Sequence, residues 1–80
     1  MNTSTSNDNQ SLFGRSIMQW RKAKGISQMD LAMKADISIK HLSFLENSRS
    51  KPSRDMVLRL SSTLGMPLKS QNALLIAAGF

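Results

Sequence analysis

The sequence predicts an all-α domain, a compact bundle of five helices. From Leu12 onward, apolar residues recur at spacings of three and four, as they do along one side of a helix. Serine, glycine and proline occur at short intervals between these apolar segments, where helices begin and end. No segment alternates convincingly between apolar and polar residues, so we expect no sheet.

The first eleven residues, 1–11, contain only Met1 as an apolar side chain and show no periodicity. We expect them to form a flexible tail. They lack the positive and apolar regions of a signal peptide. Residues 12–80 are expected to form one small domain.

The first helix is predicted from the spacing of Phe13, Ile17, Trp20 and Lys24, which places all four on one stripe. Gly25 is suited to end this helix in a left-handed conformation. Trp20 is expected to pack in the core.

Serine residues predict where the next helices begin. Ser27 fits the N-cap of a second helix, with an acidic residue three positions later as in a capping box. Ser38 fits the N-cap of a third helix, about residues 39–47, whose inward side is Leu42 and Leu45.

The last two helices follow a basic loop. Ser53 is expected to cap the fourth helix, Gly65 to end it, and Pro67 to open the fifth. The expected buried side of the fourth helix consists of Met56, Val57, Leu60, Ser61 and Leu64.

The charge balance points to an anionic partner. Eleven Lys and Arg residues against five Asp and Glu give a net charge of +6, and the isoelectric point is near 10.6. Nucleic acid and a membrane surface would both suit this charge, although basic domains without such partners also exist. No apolar run approaches the roughly 18 residues that span a bilayer, so we expect a cytoplasmic protein.

The second and third helices, with a turn of three or four residues between them, fit a helix-turn-helix unit. Ala32 is small enough to let the two helices approach closely, and Ile37 can fill the gap between them. Asp36 lies where the chain must leave the second helix sharply, and Asp tolerates the left-handed region better than most residues.

The third helix turns a mixed face away from its two inward leucines. On a helical wheel that face consists of Lys40, Asn47, Ser43 and Phe44, with Ile39, His41 and Glu46 at its flanks. Lys40 and Ser43 could donate hydrogen bonds to base edges in a major groove, and Phe44 could contact thymine methyl groups. Alternatively, Phe44 packs on the fifth helix or on a protein partner.

Phosphate contacts are predicted from two other features. Gln28 and Ser53 lie at helix N-termini, which carry partial positive charge. Arg49, Lys51 and Arg54 cluster after the third helix. Alone, the cluster would equally fit a solvated basic loop, but directly after a helix-turn-helix it favours a phosphate clamp.

Three segments carry a resemblance that spans Trp20 to Phe80. They are WRKAKGISQMDLAMKADIS, HLSFLENSRSKPS and LRLSSTLGMPL, and they resemble the Cro/C1-type helix-turn-helix family, also called the XRE family. The resemblance implies a lambda-repressor-like five-helix domain that binds operator DNA as a homodimer. It implies base contacts by Ser38, Ile39, Lys40, Ser43 and Phe44. Gln28 also matches a DNA-facing position of the family. Backbone contacts would involve Asn47, Arg49, Lys51 and Arg54, in addition to Gln28 and Ser53 at the helix N-termini.

The chain departs from the family pattern at two turns. Asp36 replaces the usual glycine between the two helices, and Ser48 replaces the glycine that usually follows Glu-Asn. In this family a helix-one arginine commonly pairs with the helix-three glutamate. Arg21 and Glu46 stand at those positions, so we expect a structural ion pair.

The final segment PLKSQNALLIAAGF resembles regulators in which this domain precedes a larger effector-sensing domain. The resemblance leaves two alternatives open: the chain ends with this domain, or it is the N-terminal part of a longer regulator. An effector ligand would then bind only through the missing C-terminal domain.

Other function classes have weaker support. The chain has one histidine, no cysteine, no glycine-rich phosphate loop and scattered acids, so we expect no enzyme, no metal site and no cofactor. The main rival is a protein-interaction module of the same fold that has lost DNA binding. Among DNA-binding functions a repressor is favoured, and activator and antitoxin remain open.

Overall fold

The computed structural model describes residues 11–80. These residues form five helices and no strand, as the sequence predicts. The helices are α1 (Leu12–Ala23), α2 (Gln28–Ala35), α3 (Ile39–Glu46), α4 (Arg54–Thr63) and α5 (Leu68–Ala77).

Four of the five helices begin at a capping serine. The Oγ atoms of Ser11, Ser27, Ser38 and Ser53 each accept a hydrogen bond from the backbone N–H three residues later, at 2.9–3.1 Å. Each bond satisfies a donor that the helix itself leaves unpaired. The caps predicted at Ser27, Ser38 and Ser53 are therefore confirmed.

Ser11 corrects the predicted boundary of the tail. We expected the flexible segment to include residue 11, but this serine is the N-cap of α1. The polar residues before it gave no periodic signal, and a cap needs only one side chain. The rest of the predicted tail, 1–10, lies outside the described residues.

Four connections between helices use a left-handed residue. Gly25 and Gly65 have φ values of 70° and 66°, as expected of glycines that end α1 and α4. Asp36 and Ser48 adopt the same conformation with φ values of 60° and 63°. Both residues therefore reproduce the turn geometry for which the family usually uses glycine.

The core contains the inward residues that the sequence predicts, among them Ile17, Leu42 and Leu45, each fully buried. Trp20 is half-buried and packs against this core. Lys24 is exposed instead of lying on the buried stripe, because it follows the last turn of α1 as its C-cap.

The packing of the helices leaves one side of α3 free. Helix α3 packs against α1 and α2, while α5 packs against α1 and α4. Helix α2 also contacts α4. The inward leucines of α3 are thus covered, and the opposite face of the helix remains at the surface.

Candidate nucleic-acid interface

The free side of α3 carries the residues that the sequence assigns to base recognition. Ile39, Lys40 and Phe44 are exposed, and Ser43 is half-buried beside them. The helix contributes no carboxylate to this face, because its one acidic residue, Glu46, is only 1% exposed. Helix α3 itself therefore presents no exposed negative charge on this face.

Contacts along α3 fix two of these outward side chains relative to each other. The Lys40 ammonium lies over the Phe44 ring, with Nζ 5.8 Å from the ring centroid. This is within the range of a cation–π interaction. The position of Lys40 one turn before Phe44 produces the contact.

Asn47 is also tied to the helix. Its Nδ2 atom donates to the backbone oxygen of Ser43 at 2.9 Å and lies 3.4 Å from the Ser43 Oγ atom. As the C-cap of α3, Asn47 stands at the end of the outward face. A shallow hollow begins here, lined by Ser43, Phe44, Asn47, Ser48 and Arg49.

Ser38 lies at the opposite end of the same face. It is exposed, and its Oγ atom already accepts the backbone N–H of His41 at 2.9 Å. The hydroxyl hydrogen is not used in that bond. Ser38 can therefore cap α3 and still donate a hydrogen bond to a neighbouring molecule.

The loop between α3 and α4 brings cations to the edge of this face. Arg49 and Lys51 are exposed in the loop, and Arg54 is exposed in the first turn of α4. Ser53 precedes Arg54 as the N-cap. The ion pairs of residues 11–80 are Arg21–Glu46 and Asp55–Arg59, so these three cations have no carboxylate partner there.

Arg21 and Glu46 form the ion pair that the family resemblance implies. Arg21 Nε donates to Glu46 Oε2 at 2.7 Å, and Arg21 Nη2 donates to Glu46 Oε1 at 3.1 Å. The arginine side chain is 12% exposed and the glutamate side chain 1%. This bidentate pair joins α1 to the last residue of α3.

Gln28 belongs to the same network. Its Nε2 atom donates to Glu46 Oε1 at 3.1 Å, while Arg21 Nη1 also donates to the backbone oxygen of Ile26 at 3.2 Å. Sequence reasoning assigned Gln28 to the DNA backbone alone. In the structure it also connects the N-terminus of α2 to α3.

Gly14 allows α1 to approach the end of α3 closely. A Cβ added at Gly14 would lie 2.6 Å from the backbone oxygen of Glu46 and 2.8 Å from that of Leu45. Sequence reasoning did not identify this contact. The available signal was a glycine inside a helical segment, which often has a packing reason.

Ser11 and Ser48 form a second contact that the sequence did not reveal. The Ser11 backbone N–H donates to Ser48 Oγ, and the Ser48 hydroxyl lies 3.1 Å from the Ser11 Oγ atom. Ser48 lies at the start of the basic loop, so its hydrogen bonds with Ser11 tie that loop to the beginning of α1. No local sequence pattern predicts a hydrogen bond across 37 residues.

The described part of the chain contains neither a cluster of metal ligands nor a helix that could span a membrane. Residues 11–80 contain no group of three or more His, Cys, Asp or Glu side chains that could hold a metal ion. None of the helices described is long and apolar enough to cross a membrane.

The family comparison agrees with this geometry. A helix-turn-helix family model matches residues 17–70, which include α2, α3, the basic loop and α4. The chain therefore belongs to the Cro/C1-type helix-turn-helix family, the XRE family, and has its lambda-repressor-like all-α fold. The comparison with curated proteins gives no match.

Membership in this family defines the general function. The chain is a DNA-binding helix-turn-helix regulator, and double-stranded DNA is its partner. The family is regulatory and generally non-enzymatic.

Proposed function

We propose that the chain is a sequence-specific transcriptional repressor that inserts α3 into the major groove of operator DNA as a homodimer. The observation that carries this proposal is the exposed face of α3, which has a cation and hydrogen-bonding groups and lacks a carboxylate. It lies next to a loop whose cations have no carboxylate partner among residues 11–80.

The proposed base contacts come from the exposed side of α3 and its N-cap. Lys40 and Ser43 donate hydrogen bonds to base edges, and Ser38 donates its free hydroxyl hydrogen. Ile39 and Phe44 make the apolar contacts. The N-terminal part of a recognition helix enters the groove most deeply, which places Lys40 near the bases.

The proposed backbone contacts flank the groove. The N-termini of α2 and α4 offer backbone amides and the side chains of Gln28 and Ser53 to phosphates. Arg49, Lys51 and Arg54 add positive charge beside them, and Asn47 lies at the adjoining end of α3. These contacts supply affinity and fix the orientation of the domain, while the α3 face supplies specificity.

The size of α3 supports binding as a dimer. A helix of eight residues is about 12 Å long, which corresponds to about three or four base pairs of duplex. A site that short recurs too often in a genome to define an operator. Two copies on a pseudo-palindrome, with half-sites one helical turn apart, double the sequence that is recognised.

Repression requires no further surface. A domain seated in the major groove blocks other proteins from the same duplex by occupancy alone. We therefore favour a repressor over an activator, which needs an additional protein contact. The proposed location is the cytoplasm of a bacterium, where the operator DNA would be accessible.

A salt titration tests the proposal. Binding of the purified chain to a labelled random-sequence duplex should weaken steeply between about 50 and 200 mM salt, because each phosphate contact contributes a slope near −0.9. Selection from a random duplex library should then yield a palindromic consensus. Absence of duplex binding at low salt would refute the proposal, and a salt-independent protein contact would favour the interaction-module hypothesis.

A further inference from the structure

The exposed face of α3 contains two large apolar side chains beside its cation. Ile39 is 44% exposed and Phe44 is 38% exposed. Both residues belong to a helix whose inward side is filled by fully buried leucines. Neither side chain is needed to complete the core, so their exposure requires another explanation.

Ile39 and Phe44 lie on opposite flanks of Lys40. At about 100° per residue, Ile39 and Phe44 are separated by about 140° around the helix, with Lys40 between them. Along the axis they are about 7.5 Å apart, which is about two base-pair steps of duplex. In a groove, the two side chains therefore face opposite walls at positions about two base pairs apart.

The most prominent apolar feature of an unmodified base pair in the major groove is the C5-methyl group of thymine. The other base edges offer smaller C–H groups beside hydrogen-bonding groups, which would lose water without gaining a partner against Ile39 or Phe44. Both apolar flanks therefore favour thymine.

The contact between Lys40 and Phe44 ties the cation to one of these flanks. The ammonium lies 5.8 Å from the ring centroid, so it stays next to the base step that the ring would contact. Lysine in the major groove most often donates to the O6 and N7 acceptors of guanine. The cation and the ring should therefore recognise neighbouring base pairs as one unit.

We propose that each half-site contains a guanine contacted by Lys40 between two thymine methyl groups, one contacted by Ile39 and the other by Phe44. This inference rests on the proposed function, because it requires α3 to lie in the major groove. It adds the class of DNA sequence that the face selects. The two thymines lie about two base pairs apart and on opposite strands, since their methyl groups face opposite flanks of α3.

The test uses deoxyuridine, which differs from thymidine only by the missing methyl group. The full chain is first used to select a consensus from a random duplex library. Each thymine of that consensus is then replaced singly by deoxyuridine, and Kd is measured. In each half-site we expect about a fourfold loss of affinity at the two thymines that flank a guanine, the value of one buried methyl group, and no loss at the other thymines.

Variants assign each methyl group to its side chain. Phe44→Ala should abolish the deoxyuridine effect at one of the two positions and leave it at the other, and Ile39→Ala should show the reverse pattern. Gln19→Ala, which truncates an exposed side chain of α1 outside the proposed DNA contacts, should keep both effects. Circular dichroism establishes that each variant is folded before its Kd is used.

The outcomes separate this inference from the proposed function. A consensus without thymines beside a guanine, or a wild-type Kd that deoxyuridine does not change at any position, overturns the inference and leaves DNA binding intact. Deoxyuridine effects that persist in both apolar variants also overturn it. Failure of the wild-type chain to bind any duplex at low salt instead refutes the proposed function. Because the deoxyuridine series uses the wild-type chain, it remains decisive even if a variant does not fold.

Discussion

The backbone oxygen of Glu46 lies so close to Gly14 that a Cβ at Gly14 would approach it to 2.6 Å. This contact brings the first turn of α1 against the last turn of α3. The Glu46 side chain is held in turn by Arg21 and Gln28. The end of α3 is thus positioned by a backbone contact on one side and an ion pair on the other.

Gly14→Ala is expected to destabilise the domain although alanine is the better helix former. Alanine would gain about 1 kcal/mol of helix propensity, but its methyl group would overlap two backbone oxygens that cannot rotate away. We expect a net loss of about 1–3 kcal/mol in the free energy of unfolding, as for overpacked sites. Urea unfolding of the variant and the wild type measures this difference in the free energy of unfolding.

Gln19→Ala provides the matched control for Gly14→Ala. Gln19 is exposed on the same helix, so its replacement should leave the free energy of unfolding within about 0.5 kcal/mol of wild type. If Gly14→Ala stabilised the domain instead, α1 would not approach α3 as closely as described.

Glu46→Gln should be strongly destabilising. The change keeps the shape of the side chain but leaves the Arg21 guanidinium largely buried without its counter-charge. Removal of one partner from a buried pair costs about 3–5 kcal/mol. The free energy of unfolding from urea or thermal denaturation gives the value.

Asp55→Asn tests whether burial is the reason that loss of the Arg21–Glu46 pair is costly. Asp55 pairs with Arg59 at 3.3 Å, but both side chains are exposed to solvent, Asp55 to 80% and Arg59 to 43%. Loss of an exposed pair should cost less than about 1 kcal/mol. Equal losses in the two variants would contradict the structural role assigned to Glu46.

The basic loop should determine the salt dependence of DNA binding. Replacement of Arg49, Lys51 and Arg54 by alanine should reduce the slope of log K against log salt by about 0.9 for every phosphate that is no longer neutralised. The effect should be equal on all duplex sequences, because phosphates carry no sequence information. Fluorescence anisotropy at several salt concentrations measures the slope.

A second triple variant serves as the control, because it removes the same amount of positive charge from a different part of the surface. Lys22, Lys24 and Lys69 are exposed on or next to α1 and α5, and none of them belongs to α3 or to the basic loop. Their replacement by alanine should lower affinity slightly through net charge and leave the slope nearly unchanged. If both triple variants changed the slope equally, the loop would act only through overall charge.

Lys40→Ala should weaken binding to the selected operator by about 1–3 kcal/mol and relax the preference at one base pair. The reason is its exposed position beside Phe44, on the side of α3 that faces away from the core. Competition binding against single-base operator variants measures both effects. An equal loss on every duplex would assign Lys40 to a phosphate, and no loss would remove it from the interface.

The local features of this fold follow directly from the sequence. Ser27, Ser38 and Ser53 predict helix starts because an N-cap depends on one side chain and the three residues after it. Asp36 predicts a left-handed turn for a similar reason, since the preference belongs to the residue itself. The exposure of Phe44 follows from helical periodicity once Leu42 is assigned to the core.

The contacts between distant segments could not be predicted in the same way. Ser11 and Ser48 meet only because α1 packs against the end of α3, and neither serine differs in its local pattern from a solvated one. Gln28 illustrates a related limit. Its position at a helix N-terminus predicts a phosphate contact, but its hydrogen bond to Glu46 depends on how three helices come together.

The division of α3 into two faces has a consequence for how the operator preference of this protein can change through substitutions. Lys40, Ser43 and Phe44 are not among the buried core residues, whereas Leu42, Leu45 and Glu46 are fully buried against neighbouring helices. Three outward side chains can therefore be exchanged for those of another regulator without loss of the scaffold. New operator preferences are accessible to this chain through a few substitutions, each nearly neutral for folding.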